Sequence, residues 1–207
     1  MQERNRMQRA LRCCDLIFLR ILPTAILLVL TVRNVMAWIS FSGTAGVFFL
    51  RQLYNDTFPL VCLFLGLSSA ADFWERTPRA AAVFRYLSAG TALLHVVLAG
   101  VNIAVYAPMV TSPDNIEPIL CAVACIPIAV SCVLWDKSPK VGMILGAIAT
   151  LLLLIAGVLL PLGEAVVNEI ISLRYFTASL RYALNTLIIG FCFLAPVFTG
   201  LVHRSKE

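Results

Sequence analysis

Six apolar runs, separated by short polar punctuation, set the pattern of this chain. They cover residues 16–38, 58–74, 85–106, 116–135, 141–162 and 183–202. A helix of about 20 apolar residues is long enough to cross a bilayer. The pattern therefore predicts an all-α fold, a polytopic bundle of six transmembrane helices. Residues 39–57 fit it less well. They hold Ser42-Gly43-Thr44-Ala45-Gly46 inside a short apolar stretch, too brief and too glycine-rich for a span, and read as an outer interfacial or re-entrant segment. Residues 163–182 are amphipathic. Val166, Ile170, Leu173 and Leu180 fall near one helical face and Glu164, Asn168, Glu169 and Arg181 elsewhere, which predicts a helix lying on the outer surface.

The punctuation itself repeats. Trp74-Glu75-Arg76-Thr77-Pro78-Arg79 returns as Trp135-Asp136-Lys137-Ser138-Pro139-Lys140. Tryptophan suits the boundary between an apolar helix and lipid headgroups. Thr77 and Ser138 are suitable N-caps, and the proline after each suits a first helical position, where no N–H is needed. Any tight hairpin in this setting would converge on such residues. A second echo, Pro59-Leu60-Val61-Cys62 against Pro118-Ile119-Leu120-Cys121, argues for duplication, and His203-Arg204-Ser205-Lys206 resembles a third, degraded turn. The expectation is three repeated helical hairpins.

Composition sharpens the membrane reading. Of 207 residues, 60% are hydrophobic and 13% charged, against about 25% charged in soluble domains. The net charge of +5 does not point to nucleic acid, because the basic residues lie in and beside the polar breaks. Six spans place Arg4, Arg6, Arg9, Arg12, Arg20, Arg76, Arg79, Arg85, Lys137, Lys140, Arg204 and Lys206 on one side. Only Arg33, Arg51, Arg174 and Arg181 fall on the other. This bias predicts a cell-membrane protein with both termini cytoplasmic and residues 1–15 as a basic cytoplasmic segment. The first run serves as an uncleaved signal anchor, with Arg20 and Arg33 snorkelling to opposite interfaces. Seven cysteines form no CxxC pair, and five lie in apolar runs, so a disulfide scaffold is not expected.

The third run carries the candidate chemistry. Ser88, His95 and Asn102 are spaced by seven, with Ala92, Ala99 and Tyr106 between and beyond them, all within roughly a 100° arc. A polar stripe on a membrane helix faces protein or water. Ser88, His95, Asn102 and Tyr106 are therefore the candidate ligand-binding residues of a small-molecule transporter or substrate-binding membrane subunit. Small and polar residues also hold helices together with no further role, and the alternative is a non-transporting assembly or regulatory protein. A membrane redox enzyme is a more distant third. Cys121, Cys125 and Cys132 share one face of the fourth run and read as buried packing residues. Gly142 and Gly146 form a small-residue face for close helix contact, within the chain or by self-association. No metal motif, nucleophile elbow, P-loop or dinucleotide fingerprint is present. The expectation is not an enzyme, no cofactor, no metal, and a lipid bilayer as the principal partner.

Overall fold

The computed structural model describes Arg6, residues 9–10, 12–40, 47–73, 78–105, 116–156 and Gly190, and among these there is no strand. A π-helical turn, Asp15–Ile21, runs directly into α1 (Leu22–Ser40). Then follow α2 (Val47–Phe73), α3 (Pro78–Val105), α4 (Ile116–Leu134) and α5 (Pro139–Leu154). Each helix packs on its neighbour in sequence: α1 on α2, α2 on α3, α3 on α4, α4 on α5. The segment at 163–182, the run at 183–202 apart from Gly190, and Tyr106 lie outside the described residues.

Local chemistry explains the boundaries. Pro23 has no N–H to return to the turn before it, and the widened register ends beside it, with the Leu22 N–H reaching back five residues to the Ile17 carbonyl. Pro78 and Pro139 each open a helix. Ser138 occupies the N-cap of α5, but its side chain makes no cap bond. Its carbonyl instead takes the Gly142 N–H at 3.0 Å, and its own N–H is held by the Leu134 carbonyl at 2.8 Å. Ser138 thus holds the expected N-cap position, but the hydroxyl bond expected of it is not made.

A larger difference concerns 39–57. The helix α2 begins at Val47 and passes through Asn55-Asp56-Thr57 and Pro59 without a break. Proline at an inner position removes one backbone bond, and the surrounding turns carry the helix across it. Residues 47–57 are thus continuous with the helix of the second apolar run, which begins at Val47 and not at Phe58.

The interior is built from small side chains. Ala81, Ala89, Ala92, Ala99, Ala124, Ala129 and Ala149 are buried, as are Cys62, Cys121, Cys125 and Cys132. Leu27, Phe58, Val61, Ile128 and Leu153 are buried among them, while many other large apolar residues point outward: Val29 and Met36 on α1, Leu93 and Val97 on α3, Ile144 and Leu151 on α5 are all more than half exposed. Close approach accounts for this. A Cβ on Gly66 would run into the Thr24 side chain of α1. One on Gly142 would come within 2.7 Å of the Trp135 ring, and one on Gly190 within 3.3 Å of the Thr150 methyl. Gly142 is therefore occupied inside the α4–α5 hairpin, where its carbonyl also accepts the Ser131 hydroxyl at 2.8 Å.

Among the described residues two helical stretches, Arg12–Arg33 and Pro78–Val105, are long and apolar enough to cross a membrane, and Ile119–Leu134 and Pro139–Leu154 are shorter apolar helices.

Candidate functional site

The α2–α3 hairpin is an antiparallel seam with a seven-residue step on both sides. Ser68 donates to the Ala81 carbonyl at 2.9 Å. Seven residues away on each helix, Ser88 donates to the Val61 carbonyl at 3.0 Å. A further step brings Tyr54 against His95, the rings stacked with centroids 4.7 Å apart and planes 13° apart. Small residues at the intervening positions, Ala92 above all, let the backbones come this close.

His95 sits at the third step and is 2% exposed. Phe58 covers it from a second side, centroids 5.6 Å apart. Its Nδ1 lies 2.8 Å from the Thr57 hydroxyl oxygen, and that hydroxyl also lies 2.9 Å from the Tyr54 carbonyl, to which it donates. The other ring nitrogen, Nε2, is buried and has no hydrogen-bond partner. A buried polar atom left unpaired costs roughly 1–3 kcal/mol, so this nitrogen marks the point where the seam is incomplete.

The expected ligand residues thus separate. Ser88 is fully buried and its donor is spent on the neighbouring helix. His95 shares that surface but keeps one nitrogen unused. Asn102, seven residues further along α3, is half-buried.

A second polar cluster, at the Trp135 end of the bundle, is not among the sites expected from the sequence. Arg85, at the edge of the same α3 stripe, pairs with Asp72 of α2 at 3.1 Å and with Asp136 in the α4–α5 turn at 2.7 Å. Beside it a small cleft is lined by Leu65, Ser68, Ser69, Asp72, Arg85, Cys132 and Trp135. The Ser69 carbonyl, near the end of α2, takes a hydrogen bond from Arg20 at 2.8 Å. Arg20 also pairs with Asp15 at 3.1 Å, five residues back, a spacing that the π-helical turn brings into register. Arg20 is 5% exposed, so the snorkelling expected of it is corrected. The reason is an inward acceptor, the Ser69 carbonyl in the last turns of α2, which has a second lone pair for the guanidinium. Signals for this cluster were present in sequence, in the five-residue Asp15–Arg20 spacing and in Asp72 beside a hairpin turn. Neither matches the 3.6-residue period by which helices are read.

Among the described residues no group of three or more His, Cys, Asp or Glu is placed to share a metal ion. Cys121, Cys125 and Cys132 lie in the apolar core as buried thiols that take part in no disulfide. No protein-family model matches the chain, nor does any curated protein or solved structure.

Proposed function

We propose that this chain is a multi-pass membrane protein of six transmembrane helices with both termini cytoplasmic. In this reading it binds a small molecule between α2 and α3, as a transporter or a substrate-binding membrane subunit. The membrane part is supported by the many large apolar side chains on the outer surface, Val29, Met36, Leu93, Val97, Ile144 and Leu151 among them, and by small residues where the helices meet. The paired hairpins α2–α3 and α4–α5, each reopening on a proline after a related turn, support a repeated design. Orientation follows from the basic residues. A single cysteine at Ser138, on a cysteine-free background in intact cells, is expected to escape an impermeant thiol reagent and to react once the membrane is opened. Labelling in sealed cells would reverse the orientation.

The observation that carries the ligand-binding part is the unpaired Nε2 of His95, enclosed beside Tyr54 and Phe58. A buried polar group kept without a partner on a membrane helix is the kind of feature that a bound molecule completes. One specific set of bonds favours the second reading, an assembly or regulatory protein. The Ser68, Ser88 and Ser131 hydroxyls all donate to carbonyls of an adjacent helix, the usual behaviour of packing contacts.

His95→Ala separates the two. With ligand binding, the variant inserts normally and small molecules that co-purify with the wild type from native membrane, read by mass spectrometry, fall at least about tenfold, the loss of one good contact. With packing alone, co-purifying molecules do not change, and stability in detergent drops by roughly 1 kcal/mol for the lost contact to Thr57.

A further inference from the structure

The bond pattern around His95 fixes more than its position. The Thr57 hydroxyl has one proton, and its contact with the Tyr54 carbonyl uses it. Its contact with His95 Nδ1 is then a hydrogen bond only if Nδ1 carries the imidazole proton. The opposite tautomer would give up one of these two bonds and leave a bare N–H at the buried Nε2 position, the rarer kind of orphan. The ring is thereby held with a lone pair, not a proton, at the open nitrogen.

The surroundings restrict what can meet that lone pair. The ring lies beside Tyr54 and Phe58, and Tyr54 packs with Leu98, Ala99 and Ala122. An ionic group here would lose its hydration with no counter-charge among the ring's described neighbours.

We propose that Thr57 locks His95 as its Nδ1–H tautomer, so that Nε2 accepts a hydrogen bond from a small uncharged ligand, one hydroxyl or N–H on an apolar body, seated beside Tyr54 and Phe58. This rests on the ligand-binding reading of His95 and adds the ligand's class and a positioning residue, Thr57.

The chain has two histidines, so the His203→Gln protein labelled with ¹⁵N-histidine reports on His95 alone. Purified full-length protein in nanodiscs is examined by ¹⁵N NMR at neutral pH, first without additive and then with phenol or anisole, probes of like shape with and without a donor. The expected result is a protonated Nδ1 and a bare Nε2 before any probe is added. Phenol then shifts the Nε2 resonance saturably, and anisole does not. Thr57→Val mixes the tautomers and weakens phenol binding on the order of three- to tenfold, while Thr57→Ser restores both. Thr57→Val that leaves tautomer and phenol affinity unchanged overturns the role of Thr57.

A protonated Nε2 in the wild type overturns the lock and the ligand class together. Equal responses to phenol and anisole, or none to either, overturn the ligand class. The tautomer is read with no ligand present. Failure of the transport reading in the His95→Ala comparison is therefore distinguishable from failure of the lock.

Discussion

Replacing Arg20 by Met is expected to lower the stability of the protein by about 3 kcal/mol, the usual scale for removing one partner of a buried ion pair. The reason is what stays behind. Asp15, whose side chain is 19% exposed beside Arg20, loses its guanidinium partner. One of its oxygens, Oδ1, is already buried without a partner. The Ser69 carbonyl loses its donor at the end of α2. Removing the stranded charge as well, in Asp15→Asn with Arg20→Met, is expected to recover roughly half of the loss, because the two sites are coupled. Equilibrium unfolding in mixed micelles measures both proteins. A single variant within about 0.5 kcal/mol of wild type, the range of ordinary surface substitutions, would mean that Arg20 is not held as described.

The second large effect is expected at Ala92, which is fully buried in the middle of the α2–α3 seam. Ala92→Leu must push the two helices apart, and overpacking of this kind costs about 1–3 kcal/mol by itself. The separation also stretches the flanking contacts, Ser88 to Val61 and His95 to Thr57, each worth about 1 kcal/mol. The sum is about 4 kcal/mol, enough to prevent folding in a marginal protein. Two residues earlier on the same helix, Gly90 faces open space, where an added Cβ meets nothing within 4 Å. Gly90→Ala is expected to stabilise by up to about 1 kcal/mol through helix propensity. Equal effects at the two positions would contradict the seam. Thermal unfolding of the variants alongside wild type decides it.

This seam also shows how far the sequence could be read. The step of seven through Ser88 and His95 was legible because polar residues stand out on an apolar helix. Its complement on α2, Tyr54, Val61 and Ser68, carries the same step but mixes an aromatic, an aliphatic and a hydroxyl. Pro59 and Asn55-Asp56-Thr57 also resemble a loop. That made α2 look as if it began at Phe58, and Thr57, the partner of His95, fell outside it. The all-helical class was legible from apolar run length alone, since run length does not depend on tertiary contacts. The Asp72–Arg85–Asp136 bridge was not, because it joins residues from three parts of the chain. Only the hairpin register sets their meeting point.

The bond from Arg20 to Ser69 spans 49 positions of the chain, and that separation carries a consequence for biosynthesis. At about 5–20 residues per second, a ribosome needs several seconds to go from making the donor to making its acceptor. Throughout that interval the first helix has Asp15 as its local neutralising partner but no carbonyl from α2 to dock against. Its final seat is therefore taken only after the second helix has emerged. An arrest of translation between the two residues would yield a nascent chain whose first helix has not yet docked.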